Sequence, residues 1–100
     1  MSSPNYLVVI ERGPRNRSAY SPDVPGCVAT GATVEQTLVR MRRALRDHFA
    51  GLVEDGEPIP PARGLAWHLR HAQNFQPTPD DLIAQVTVEL PSVAPQLSPV

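Results

Sequence analysis

The stretch from Thr33 to Val53 narrows the possible folds more than any other part of this chain. Its apolar residues Val34, Leu38, Met41, Leu45, Phe49 and Leu52 recur at steps of three and four, which places them on one stripe of a helix. Thr33 with Gln36 three residues on is a capping-box pattern, and Glu35 in the first turn suits the positive end of the helix dipole. Gly56 stops the helix, and the following "EPIPPAR" cannot continue it. A helix with one apolar stripe has to lay that stripe on something, and the segments on either side of it read as strands.

"NYLVVIER" at 5–12 is β-branched and continuously apolar at its centre, the pattern of a strand buried on both faces and therefore central in its sheet. Gly13, Pro14 and Asn16 supply turn chemistry, and "SAYSP" at 18–22 reads as the second arm of a hairpin. Pro22 and Pro25 end that arm because neither can donate to a ladder. "GCVATG" at 26–31 is a third strand, with Cys27 and Ala29 on one face and Val28 and Thr30 on the other. After the helix, "GLAWHLRHAQ" within 62–76 is ambiguous between helix and loop, and "IAQVTVEL" at 83–90 alternates as a last strand with Ala84, Val86, Val88 and Leu90 on its apolar face. The expected fold is α+β, a two-layer sandwich in the order β-β-β-α-β, with a three-stranded meander, one long helix and a returning C-terminal strand. The right-handed crossover preference places that returning strand parallel to its neighbour.

A chain of 100 residues is one domain by size, here expected over 1–90, with a Pro-rich tail at 91–100. The net charge of -1 gives no field to draw the whole molecule onto DNA or an anionic membrane. With Cys27 as the single cysteine, an intrachain disulfide framework and a multi-cysteine zinc site are both excluded. No stretch nears the roughly 18 apolar residues of a membrane span, and the start lacks a leader pattern, so a cytoplasmic location is expected.

The segment "YSPDVPGCVATG" at 20–31 reads as a rigid corner. Pro22 and Pro25 fix φ, Asp23 can cap the tight turn, Gly26 can take a conformation closed to other residues, and Gly31 lets the chain swing into the cap at Thr33. Together with "YLVVIE" at 6–11 and "EDGEPIPPAR" at 54–63, this corner resembles the HicB antitoxin family over about residues 6–63. In that family a strand leads to an aromatic, a Pro-Asp-(Leu/Val)-Pro-Gly-Cys corner, a Gly-(Asp)-Thr helix entry and a Gly-x-x-Ile-Pro-x-P exit.

The resemblance implies a degraded ribonuclease H-like fold without nuclease activity, and the role of antitoxin in a type II toxin–antitoxin pair. The implied partner is a HicA-type toxin, a small basic ribonuclease with a double-stranded-RNA-binding-domain fold, neutralised by occlusion of its catalytic histidine or RNA surface. A homo-oligomer, dimer or tetramer, is also implied. Many members continue into a ribbon-helix-helix or helix-turn-helix module. Here "PSVAPQLSPV" after Leu90 is too short and proline-rich for either, which argues against a C-terminal DNA-binding module. A second departure is the length of 64–77, read either as a docking segment or as a surface-loop insertion.

No catalytic, cofactor or metal site is assigned. Two-metal nuclease chemistry needs several converging carboxylates, and the candidates Glu11, Asp23 and Glu35 have ordinary structural explanations. His68 and His71 share a helix face but have no third ligand nearby, and are read as surface histidines. Cys27 reads as a small core hydrophobe. Arg40, Arg42, Arg43 and Arg46 are the one clustered charge, with Asp47 placed to pair with Arg43. The candidate partner interface is Trp67 with Leu65 and Leu69, together with Arg42 and Arg46; core packing is an equal contender for Trp67. The alternative to an antitoxin is an orphan, stand-alone homo-oligomeric scaffold.

Overall fold

A computed structural model describes residues 3–71 and 75–91. The elements are β1 (Asn5–Arg12), β2 (Arg17–Ser21), β3 (Val24–Gly31), α1 (Val34–Glu54), α2 (Leu65–His71) and β4 (Leu82–Thr87). They form one four-stranded sheet in the order β3-β2-β1-β4, with every pairing antiparallel. β1 is central, as its unbroken apolar run requires. Its alternate side chains face opposite ways. Tyr6, Val8 and Ile10 join the large core under α1, and Leu7 and Val9 join a smaller cluster on the other face.

α1 starts where the sequence predicts. Thr33 Oγ1 accepts the Gln36 amide at 3.0 Å, and Gln36 Oε1 reaches back to the Ala32 amide at 2.7 Å, so two otherwise orphan donors are satisfied reciprocally. The exit is a Schellman turn: the Gly56 amide donates to the Val53 carbonyl and the Glu57 amide to the Leu52 carbonyl. Met41, Leu45 and Phe49 are fully buried, with Val34, Leu38 and Leu52 packed at the rim. Thr37 is also fully buried, a polar residue on the apolar stripe, and its hydroxyl donates to the Thr33 carbonyl at 2.7 Å.

The corner is a bulge as well as a turn. β3 begins at Val24, two residues earlier than expected, and Pro25 lies within it. This is tolerated because β3 is an edge strand, and because the register shifts between Tyr20 and Ser21 so that residues 25–27 loop out of the ladder. Gly26, at φ 88°, provides the positive dihedral the bulge needs. Gly31 serves a different purpose from the predicted swing, since its φ is not positive. A Cβ there would lie 2.6 Å from Thr37 Oγ1 and 2.8 Å from the Thr37 amide nitrogen, so its lack of a side chain is what lets α1 sit down on the sheet.

The returning strand corrects one expectation. β4 runs antiparallel to β1, with Asn5 opposite Thr87 and Ile10 opposite Leu82. The crossover rule presumes a chain that enters the last strand from the end at which the helix leaves it. Here α1 ends near the start of β1, as the Tyr6 hydroxyl donating to the Pro60 carbonyl at 2.6 Å attests. Residues 63–71 and 75–77 then lie on the sheet face opposite α1. Phe75 is buried there against Leu7 and Val9, and Gln76 and Thr78 arrive beside Glu11, Arg12 and Gly13 at the far end of β1. The chain can only re-enter the sheet from that end. The ambiguous stretch within 62–76 thus contains a helix, Leu65–His71, and its described residues lie on the return path. The expected tail at 91–100 lies, from residue 92 on, outside the described residues.

Candidate partner-binding site

The corner residue Asp23 is the hub of the second sheet face. β2 stops pairing with β1 at Val9, opposite Tyr20, so no β2 carbonyl is registered opposite the next residues of β1. β1 runs on, and the Leu7 amide, two residues away and pointing the same way as that of Val9, would be left without a partner. Asp23 Oδ2 accepts it at 3.2 Å. The other oxygen, Oδ1, accepts the Arg63 amide at 3.0 Å and His68 Nε2 at 2.6 Å. The predicted turn cap is therefore made by another residue: Ser21 Oγ accepts the Asp23 amide, and the Asp23 carboxylate is spent on β1 and on the approach to α2. A carboxylate only accepts, so Nε2 carries the proton in this contact. Nδ1 of the same ring is buried without a hydrogen-bond partner among the described residues.

His68 is 3 % exposed, which overturns its reading as a surface histidine. His71 is exposed, as expected. The correction has a physical basis: α2 turns one side toward the Asp23 corner and Phe75, and His68 is the residue on that side. Its ring stands edge-on to Phe75 at 5.8 Å and to Trp67 at 5.0 Å.

Trp67 is half-buried within a polar stack. His71 lies nearly parallel to it at 4.6 Å between centroids, and the Arg63 guanidinium carbon lies 4.7 Å from the ring centroid on the indole. Leu65 and Leu69 are 36 % and 59 % exposed. α2 thus presents two large apolar side chains to solvent beside a tryptophan already held in place. Arg42 and Arg46 are exposed too, but on α1, which covers the opposite sheet face. The five predicted interface residues therefore fall on two surfaces. Arg43 and Asp47 line one shallow groove with Arg40 without pairing, since His68–Asp23 is the only contact of ion-pair length among the described residues. Arg40 instead donates to the Thr30 carbonyl at 3.1 Å, on the β3 edge.

The carboxylates proposed and set aside for catalysis do not converge. Among the described residues no three His, Cys, Asp or Glu side chains are grouped to hold a metal ion. Glu11 lines an open polar depression with Asp80, Asp81 and Tyr20, whose hydroxyl pKa is raised by burial and then by Glu11 and Asp81. Asp23 is enclosed, and Glu35 is exposed at the start of α1. Cys27 is buried in the core, and its thiol pKa is raised by that burial, the environment of an inert rather than a reactive cysteine.

The model of the HicB-like antitoxins of bacterial toxin–antitoxin systems matches residues 6–98 of this sequence. The chain belongs to the HicB-like antitoxin family. As a HicB-like chain it superimposes on the N-terminal domain of the Burkholderia pseudomallei antitoxin HicB with a TM-score of 0.69, at 21% identity over 87% of this chain and 100% of the other. A chain of a HicA3–HicB3 toxin–antitoxin complex gives a TM-score of 0.68 at 19% identity, over 86% of this chain and 99% of that one. A toxin–antitoxin complex from Streptococcus pneumoniae gives 0.69 at 15% identity, over 99% of this chain and 78% of its own. In sequence, an uncharacterised 14.9 kDa protein of the rep–hol intergenic region of Haemophilus phage HP1 is 28% identical over 81 residues. The HicB-like chain spans 57% of the length of that relative. The α+β fold read from the sequence is the fold of these structures. No helix among the described residues is long and apolar enough to cross a membrane.

Proposed function

We propose that this HicB-like chain binds a HicA-type toxin and neutralises it by protein–protein occlusion, without chemistry of its own, docking it on the outer face of α2. The observation that carries the placement is the pair of exposed leucines, Leu65 and Leu69, on a helix whose other side is fastened to the sheet. Exposed apolar side chains beside a fixed aromatic have the make-up of an interface anchor. The depression lined by Glu11, Asp80 and Asp81 with Arg12 is net acidic, which suits a basic partner and would speed its approach. Arg42 and Arg46, expected in the partner interface, lie on the opposite side and in this reading serve a separate contact. The ribonuclease H-like ancestry and cytoplasmic location implied by the resemblance accompany this reading.

The test is co-expression with the HicA-type toxin of the neighbouring short reading frame, followed by pull-down, light-scattering mass and an RNA-cleavage assay. A stoichiometric complex that silences cleavage, and that is lost in Leu69→Asp or Trp67→Ala, is the expected result. A homo-oligomer with no affinity for the toxin would replace this reading with the stand-alone scaffold.

A further inference from the structure

We infer that Asp23 and His68 form a clasp that positions the docking face of α2, so that a residue of the strand corner sets partner affinity without touching the partner. The inference rests on the docking reading above for its consequence, though not for its geometry. α2 has seven residues, too few to be stable by itself. Its one fully buried side chain is His68. One carboxylate gathers the Leu7 amide of β1, the Arg63 amide just before α2 and the His68 ring within it. Asp23 thereby ties the arm to the central strand at two points along its length.

The unpartnered Nδ1 bears on how firmly the clasp holds. A buried polar atom without a partner is costly, and lifting α2 would return that atom to water. The docked arm therefore gives up part of what the Asp23 bond contributes, and α2 is a short unit that can release while the sheet stays folded. Only the docked fraction presents Leu65, Trp67 and Leu69 together, so the apparent affinity scales with that fraction.

Trp67 is the only tryptophan in the chain and adjoins His68, which makes its fluorescence a direct report on the arm. His68→Phe keeps an aromatic ring against Phe75 but cannot reach Asp23, and His68→Gln restores an N–H donor in the place of Nε2. In the full chain, His68→Phe is expected to raise the acrylamide quenching constant of Trp67 about twofold or more, and to weaken toxin binding about tenfold if the docked fraction falls to about a tenth. His68→Gln should return both toward wild type. Amide exchange in β1 should stay unchanged in both variants while that of α2 rises in His68→Phe. Quenching equal in wild type and His68→Phe overturns the clasp, as does equal disruption by Phe and Gln, which would assign the effect to ring packing. If wild type itself fails to bind toxin, the docking consequence falls while quenching and exchange still decide the clasp.

Discussion

The Asp23 carboxylate and the His68 imidazole meet at 2.6 Å, Oδ1 to Nε2, across 45 residues of sequence. The contact joins the strand corner to α2, which follows the proline-rich exit from α1. The described residues of 64–77 are held to the sheet at two places. They are fastened at the start by Asp23 and sealed onto the sheet further along by Phe75.

Replacing Tyr6 with Phe should destabilise the fold by about 1–2 kcal/mol, because the hydroxyl donates to a partly buried Pro60 carbonyl that would lose its partner. Urea titration followed by circular dichroism measures it. The ring's contact with Phe49, 5.0 Å between centroids, should survive the change.

Gly31→Ala should cost about 1–3 kcal/mol by overpacking, since the new methyl would overlap both the hydroxyl and the backbone of Thr37. Thr37→Ala in the same chain should recover only part of the loss. It removes the hydroxyl at 2.6 Å but leaves the amide nitrogen at 2.8 Å. Thermal melts of the single and double variants separate the two contributions.

Thr33→Ala removes the acceptor for the Gln36 amide and should cost about 1 kcal/mol, whereas Thr33→Asp should stay close to wild type. The comparison in urea distinguishes a capping role from a packing one.

Stability should fall in alkali. Burial raises the Cys27 thiol above its ordinary 9.0, and burial followed by the nearby Asp23 raises the Tyr6 hydroxyl above its ordinary 10.0. In the window between each ordinary value and the raised one, the folded chain holds protons that the unfolded chain has released. The stability of the fold therefore decreases as pH climbs through that window, and the contribution is fully present below about pH 9. Unfolding midpoints measured from pH 7 to 11 should show the decline, beginning at the lower end with the thiol, and Cys27→Ala should remove that first part.

The elements carried by local pattern were legible before any coordinates. The run from Tyr6 to Ile10 specifies a strand with two buried faces, the stripe from Val34 to Leu52 specifies a helix, and Thr33 and Gly56 mark its ends, because periodicity and capping act over a few residues. Alternation in the third strand placed Cys27 inward and left Val28 64 % exposed. The family pattern was legible for a similar reason, since a rigid corner has to be spelled out in consecutive Pro, Asp and Gly.

The direction of β4 and the burial of His68 were decided only by tertiary structure. Both depend on which sheet face the chain follows after Pro60, and no local periodicity records that path. It is set by the partners Asp23 offers to Arg63 and His68, and by the apolar surface of Leu7 and Val9 left for Phe75 to cover. A histidine in a short polar helix reads as exposed until a distant carboxylate supplies the hydrogen bond that makes its burial tolerable. The amino-acid sequence determined the strands, the helix and the corner because their causes are local. The return path and the clasp awaited the fold because their causes lie tens of residues apart.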